Sequence, residues 1–146
     1  MSKKKQTLAD KSYLGIDYGT TNIGIALGKN GFVTPLKIIS GKSDNTAISQ
    51  LIRVALENKA EAFVMGLPLT AEGKETAQSL KNRKFAKLLK ILSKKPVIFT
   101  NEEDSTQEAF QSMTIQKSTR KSKAYSDDIA AAIILRRFFQ EPSKEV

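Results

Sequence analysis

The chain has 146 residues, of which 40% are apolar and 27% charged, and this balance fits one globular domain with a continuous core. It contains neither cysteine nor histidine, which excludes disulfides, thiolate zinc sites and imidazole bases or metal ligands. Catalysis would therefore use carboxylates, lysines, hydroxyl groups or a metal held by oxygen. No apolar run is long enough for a membrane span, and no signal-peptide pattern follows the basic start.

The net charge of +9 is spread unevenly. Between Leu80 and Tyr125 there are 11 Lys and Arg residues against 4 Asp and Glu residues. Basic surfaces attract phosphate backbones because binding releases condensed counterions, so nucleic acid is the favoured partner. A solvated, lysine-rich face is the alternative explanation of the charge.

The first third of the chain predicts three short strands joined by tight turns. Apolar runs at Tyr13–Tyr18, Ile23–Leu27 and Phe32–Ile39 are separated by turn signals rich in Gly and Asn. This pattern indicates an antiparallel meander.

Helices and strands alternate through the rest of the chain, as their hydrophobic periodicity indicates. The first predicted helix is capped by Asp44 and is followed by a strand at Ala62–Gly66; its apolar face consists of Ile48, Leu51, Ile52 and Ala55. A second helix runs from about Glu75 to Leu92, before a strand at Pro96–Thr100; its apolar stripe consists of Phe85, Leu88, Leu89 and Leu92. The last predicted elements are a short helix at Asp104–Met113, a basic loop at 114–125, and a buried helix at Asp127–Phe139 capped by Ser126. The order predicts an α/β fold whose mixed sheet combines the meander with further strands and carries helices on both faces. We expect a single domain over 12–140, between a disordered basic tail at 1–11 and a polar tail at 141–146.

Three acidic residues are the candidates for chemistry. Asp17 ends the first apolar strand, Glu102 directly follows the strand at Pro96–Thr100, and Asp127 opens the buried C-terminal helix. Functional sites of open α/β sheets form at the carboxyl ends of strands, where these acids can converge. Converging carboxylates bind Mg²⁺ or Mn²⁺, and such ions activate water for phosphodiester hydrolysis without any histidine or cysteine.

Each acid also has a structural explanation. Asp17 precedes Gly19 and can build a turn. Glu102 belongs to an acidic run that can cap the next helix, and Asp127 lies at the favourable end of a helix dipole. The hypothesis of a metal site therefore depends on the combination of the three acids.

Residues expected to contact nucleic acid surround these acids in the predicted fold. They are Gly19, Thr20 and Thr21 in the first turn, Gly66 and Pro68 after the buried strand, and Lys117, Arg120, Lys121 and Lys123 in the basic loop. The Gly66–Leu69 stretch could equally be a strand terminator, and the basic run a solvated loop.

The chain resembles the YqgF/RuvX family of Holliday junction resolvases, which are also described as pre-16S rRNA processing nucleases. The similarity covers roughly Tyr13 to Phe139. The matching motifs are Leu14-Gly15-Ile16-Asp17-Tyr18-Gly19-Thr20, Ile23-Gly24-Ile25-Ala26, Val64-Met65-Gly66-Leu67-Pro68-Leu69 with Gly73, Phe85-Ala86, Glu102 with Ser105-Thr106 and Glu108-Ala109, and Asp127 with Ala130-Ala131 to Leu135.

This resemblance implies a ribonuclease H-like fold and a metal-binding catalytic triad of Asp17, Glu102 and Asp127. It also implies a cytoplasmic endonuclease that uses Mg²⁺ or Mn²⁺ and matures the 5′ end of pre-16S rRNA during ribosome biogenesis. Branched DNA is the alternative substrate. Cutting a junction at two symmetric points would require a dimer, but no apolar surface stripe clearly indicates one, so we expect a monomer or a weak homodimer.

The chain departs from the family pattern at two places. The family usually has a basic pair where this chain has Thr21-Asn22, and Asp-Glu-Arg where it has Asn101-Glu102-Glu103. Glu103 in place of Arg changes the local charge by two units and should weaken the approach of a polyanion. Lower activity or a shifted substrate preference is therefore expected.

Two other functions compete with the nuclease. The segment from Asp17 to Asn22 also resembles the phosphate loop of actin-like ATPases and Hsp70-type chaperones, but those proteins close two such domains on the nucleotide and this chain supplies one. A non-catalytic RNA-binding assembly factor would keep the fold and the basic surface without cleavage. The missing basic residues favour that alternative, and the intact triad opposes it.

Overall fold

Five strands form one sheet in the computed structural model, which describes residues 11–101 and 126–141. The strands are β1 (Ser12–Tyr18), β2 (Asn22–Lys29), β3 (Phe32–Ser40), β4 (Ala62–Leu67) and β5 (Val97–Asn101). Their order across the sheet is β3-β2-β1-β4-β5. Strands β1, β2 and β3 pair antiparallel, whereas β4 runs parallel to both β1 and β5. The predicted mixed sheet is confirmed.

Helices cover both faces of this sheet, as predicted. Helices α1 (Asp44–Glu57) and α2 (Ala77–Ser93) pack on one face, and helix α3 (Asp127–Gln140) packs on the other. Successive side chains along a strand point to opposite faces of the sheet, so each strand contributes residues to the core on both faces. In β1, for example, Leu14 and Ile16 belong to the core under α1 and α2, while Tyr13 belongs to the core under α3.

Helix α3 is buried as its composition predicts. All residues from Ala130 to Leu135 are buried. The aromatic ring of Tyr13 in β1 meets the rings of Phe138 and Phe139 edge-on, with centroid separations of 5.0 and 5.8 Å. Offset and edge-on ring pairs are favourable beyond their buried area, so this cluster holds the C-terminal half of α3 against the sheet.

The start of α1 and the end of α2 differ from the prediction. Ser43 rather than Asp44 caps α1, because its Oγ accepts the backbone N–H of Thr46 at 3.3 Å. Asp44 is instead the first helical residue. Leu92 is 50% exposed and does not extend the buried stripe, because it lies in the last turn of α2, after the last buried residue, Leu89.

The starts of α2 and α3 are also built differently from the prediction. Helix α2 begins at Ala77 with Thr76 as its cap, and Glu75 stays outside it. Ser126 occupies the cap position of α3 as predicted, but its hydroxyl makes no capping hydrogen bond and donates to the Asp128 carboxylate.

Several predicted features lie outside the described residues. They are the tail at 1–10, the helix at Asp104–Met113, the basic loop at 114–125 and the tail after 141.

Candidate functional site

Asp17 lies near the carboxyl end of β1 and is half-buried. Alternation along the strand puts its side chain on the same face as Tyr13, which is the face that α3 covers. The neighbours Ile16 and Tyr18 turn to the opposite face, where Tyr18 stacks on Phe85 at a centroid separation of 4.4 Å. Asp17 is therefore an acid on the α3 side of the sheet, at the edge where the parallel strands end.

The start of α3 lies beside Asp17 because Gly24 has no side chain. Gly24 of β2 is the direct cross-strand partner of Asp17, so the two residues face the same side of the sheet. A Cβ atom on Gly24 would stand 1.9 Å from the backbone oxygen of Asp127. Only glycine permits so close an approach, and the approach brings Asp127 next to the Asp17–Gly24 pair.

A second glycine fixes the height of α3 over the sheet. A Cβ atom on Gly15 would lie 2.8 Å from the backbone oxygen of Ala131 and 2.6 Å from Cγ of Leu135. Asp127, Ala131 and Leu135 are four residues apart and so lie on one stripe of the helix. This stripe runs along β1 and β2 in direct contact with their backbone, which sets both the position and the register of Asp127.

The third predicted acid adjoins the described part of the chain. Strand β5 ends at Asn101, and Glu102 is the next residue in the sequence. Glu102 itself lies outside the described residues, as do Glu103 and the predicted phosphate contacts Lys117, Arg120, Lys121 and Lys123. Asn101 is the cross-strand partner of Leu67, so Glu102 follows a strand that ends level with β4.

Carboxylates are suitable ligands for the metal that the sequence predicts. Asp17 and Asp127 supply only hard oxygen donors, which Mg²⁺ and Mn²⁺ prefer. Among residues 11–101 and 126–141, no group of three or more acidic, histidine or cysteine side chains is close enough to hold an ion. Two of the three predicted ligands fall within those ranges, and the donor chemistry fits the ion.

The stretch after β4 is held in place by the start of α2. The Nδ2 of buried Asn82 donates to the backbone oxygen of Gly66 at 2.9 Å, and Gln78 Nε2 donates to Asn82 Oδ1 at 2.8 Å. The hydroxyl of Thr76 donates to the backbone oxygen of Pro68 at 2.8 Å. These bonds fix Gly66 and Pro68 at the edge of the sheet where β1 ends, which sequence reasoning did not foresee.

We expect replacement of Asn82 by alanine to destabilise the protein by about 1–3 kcal/mol, because the buried oxygen of Gly66 would lose its donor. Urea unfolding of the variant measures this free energy. Gln78→Ala is the matched control, since it removes a neighbouring amide but leaves the bond from Asn82 to Gly66. Equal losses in the two variants would contradict the assigned role.

The turn between β1 and β2 contains one glycine that the backbone requires and two exposed threonines. A Cβ atom on Gly19 would lie 2.7 Å from the backbone oxygen of Asn22, so the tight turn requires glycine there. The backbone oxygen of Thr21 accepts the N–H of Gly41 at 2.8 Å, which ties the turn to the start of α1. Thr20 and Thr21 are exposed at the same edge of the sheet as Asp17.

Helix α2, on the opposite face of the sheet, has a basic surface. The helix contains five Lys and Arg residues and no acidic residue, and the side chains of Lys81, Lys84, Lys87 and Lys90 are exposed. Arg83 forms an ion pair with Glu75 at 2.7 Å, and its hydrogen bonds lower the pKa of the Glu75 carboxyl. On the same face, burial and the nearby Asp44 carboxylate raise the pKa of the Tyr18 hydroxyl, which donates a hydrogen bond to Oδ1 of Asp44 at 3.4 Å.

Comparison with known proteins gives consistent matches over most of the chain. The family model described as "RuvX: Holliday junction resolvase" matches residues 11–141. A protein of Alcanivorax borkumensis named "Putative pre-16S rRNA nuclease" is 35% identical over 133 residues, covering 90% of this chain and 97% of that protein. A protein of the same name from Nitratidesulfovibrio vulgaris is also 35% identical over 133 residues, with coverages of 89% and 94%.

Solved structures share the fold. RuvC of Thermus thermophilus in complex with a Holliday junction substrate matches with a TM-score of 0.56 at 14% identity, over 88% of this chain and 93% of that one. The Holliday junction resolvase of fowlpox virus matches with a TM-score of 0.50 at 15% identity, over 88% and 97%. The ribonuclease H-like fold is confirmed. No helix within the described ranges is long and apolar enough to cross a membrane.

Proposed function

This chain belongs to the RuvX family of Holliday junction resolvases, and on that basis we propose that it is a divalent-metal-dependent endonuclease that cuts pre-16S rRNA. The placement of Asp127 beside Asp17 carries the proposal. Gly24 allows the backbone of Asp127 to touch β2 at the position paired with Asp17, so two acids that are 110 positions apart in the sequence start from neighbouring backbone positions.

Asp17, Asp127 and Glu102 would hold the metal, and a bound Mg²⁺ or Mn²⁺ would supply a water nucleophile and stabilise charge on the leaving oxygen. The protein contributes to the reaction by holding the two described acids in fixed positions. Gly15 and Gly24 fix α3 and hence Asp127, and the backbone pairing of β1 with β2 and β4 fixes Asp17. Preorganised groups of this kind need no rearrangement during the reaction.

Contacts to the nucleic acid would come from the rim of the site. The exposed Thr20 and Thr21 and the braced Gly66 and Pro68 lie at the same edge, where hydroxyl and backbone groups can contact a sugar–phosphate chain. The exposed lysines of α2 lie on the opposite face of the sheet, and their charge adds to the long-range attraction of a polyanion. Thr21, Asn22 and Glu103 stand where the family usually has positive charges, so we expect a modest affinity.

The relatives' names favour pre-16S rRNA over branched DNA as the substrate. The family description and the RuvC complex make a Holliday junction the second candidate. We place the activity in the cytoplasm, and the oligomeric state stays a prediction of monomer or weak homodimer.

Cleavage of a labelled pre-16S rRNA 5′ fragment, with Mg²⁺ or Mn²⁺ and with a chelator, tests the proposal. We expect metal-dependent cutting by the unaltered protein and none by Asp17→Asn. The variant should still bind the RNA, as tightly or more tightly, because a negative charge next to the phosphate has been removed. Filter binding measures that affinity.

Each other outcome has a defined meaning. Tight binding by both proteins without cutting would replace the nuclease by the RNA-binding assembly factor. Cutting of four-way DNA junctions in preference to the RNA would establish the second candidate. Equal cutting by Asp17→Asn would refute the assigned site.

A further inference from the structure

Thr100 is a buried polar residue near the carboxyl end of β5. It lies on β5 and is the cross-strand partner of Gly66 on β4. Alternation along β5 settles which face it occupies. Val97 and Phe99 pack against the core under α1 and α2, whereas Ile98 packs against the core under α3. Thr100 therefore shares the face of Ile98, which is the face of Asp17 and Asp127.

The strand register places Thr100 level with Asp17. Ile16 pairs with Met65, so the next residues along the parallel strands, Asp17 and Gly66, are also level, and Gly66 in turn pairs with Thr100. Strands lie about 4.8 Å apart, which puts β1 and β5 roughly 10 Å from each other. Since Gly66 has no side chain, β4 places no side chain between the Asp17 carboxylate and the Thr100 hydroxyl.

The hydroxyl of Thr100 has no hydrogen-bond partner. Thr100 is 4% exposed, and its Oγ1 is one of two buried side-chain polar atoms without a partner in the described parts of the chain. The other, Nε of Arg136, lies nine residues after Asp127 and thus about 14 Å further along α3. The buried polar residues Asn82 and Ser79 are both hydrogen-bonded.

An unpaired buried hydroxyl destabilises a fold, and valine would fill the same space on a strand without that cost. Such a group is explained when a ligand supplies the missing partner. The group that enters this site under the proposed function is a phosphodiester, whose oxygens accept hydrogen bonds from hydroxyl groups.

We propose that Thr100 is a substrate-contacting residue whose hydroxyl donates a hydrogen bond to a phosphate oxygen of the bound nucleic acid. The proposal rests on the proposed nuclease function and adds a residue of β5 to the three acids of the predicted triad. Oγ1 is buried in the free protein, so the bond forms when the site adjusts to the bound nucleic acid. Its energy is gained only in the complex.

Thr100→Val and Thr100→Ser test the proposal, because valine keeps the shape without the hydroxyl and serine keeps the hydroxyl. We expect the valine variant to lose about tenfold in kcat/KM for the RNA fragment, as one lost hydrogen bond implies, and the serine variant to recover most of it. Unfolding by urea should show the valine variant to be at least as stable as the unaltered protein. Thr34→Val, at an exposed position of β3, is the control for the chemical change.

Binding gives a readout that does not depend on turnover. In the Asp17→Asn background, Thr100→Val should weaken binding of the RNA fragment several-fold, and Thr100→Ser should not. If the unaltered protein binds RNA without cutting it, the nuclease fails while this binding comparison still decides the role of Thr100. Unchanged binding and cleavage in Thr100→Val, or equal defects in the valine and serine variants, would overturn the proposal.

Discussion

Replacing Asp127 with asparagine is expected to lower the rate of RNA cleavage by about 10²-fold or more. A carboxylate that holds the metal supports several kcal/mol of transition-state stabilisation, and about 1.4 kcal/mol corresponds to a factor of ten in rate. The amide keeps the size of the side chain but loses its charge. Single-turnover cleavage of the labelled rRNA fragment measures the effect, and urea unfolding should show little change in stability.

Asp128 supplies a matched control from the same turn of α3. Its carboxylate accepts hydrogen bonds from the Ser126 hydroxyl and from the N–H of Ile129, at 3.0 Å for the latter. Those bonds indicate that the Asp128 carboxylate stabilises the start of α3, so Asp128→Asn should retain most of the cleavage activity. If both variants lose activity equally, the rate of cleavage depends on the total negative charge at the start of α3. The assignment of Asp127 as a metal ligand would then be wrong.

Replacing Gly24 with alanine is expected to have a comparable effect on cleavage without altering any acid. The added Cβ would stand 1.9 Å from the backbone oxygen of Asp127, so the start of α3 must move by more than about 1 Å. Misplacement of a catalytic group by about 1 Å can cost about 10²-fold in rate. We also expect a loss of stability of about 1–3 kcal/mol from overpacking.

Gly28→Ala separates these two effects. A Cβ atom there would lie 2.7 Å from Cε2 of Phe139, at the opposite end of α3 from Asp127. This variant should also lose stability, though less than Gly24→Ala because the clash is with a side chain and not with backbone, and it should cut RNA nearly normally when folded. A loss of activity in Gly28→Ala as large as in Gly24→Ala would show that general destabilisation, and not the position of Asp127, governs the rate.

Much of the fold could be predicted from the sequence because its elements have clear periodicity. The apolar runs of β1, β2 and β3 between turn signals, the apolar stripe of α1 and the apolar run of α3 each indicate one type of element. The errors fall at helix ends, where one hydrogen bond decides: Ser43 caps α1 because its hydroxyl reaches Thr46, and sequence spacing alone did not distinguish it from Asp44.

The site was less accessible to sequence reasoning, because it depends on which strands are neighbours. The pairing of β1 with β4 and the seating of α3 over Gly24 are long-range contacts that no local pattern encodes. The family resemblance identified the three acids as candidates, whereas Gly24, which positions Asp127, was recognised only as part of a matching motif. Thr100 was missed because a threonine at a strand end is ordinary, and only its burial without a partner distinguishes it.

The contact between α3 and Gly24 has a consequence for protein synthesis. Strands β1 and β2 leave the ribosome early, but the helix that completes the site is made some hundred residues later. Contacts between segments so distant in sequence form late in folding, after the chain has paid the entropy of closing a long loop. If Asp127 is a metal ligand as proposed, a nascent or truncated chain that lacks α3 holds only one acid of the pair, and we expect it not to cut RNA.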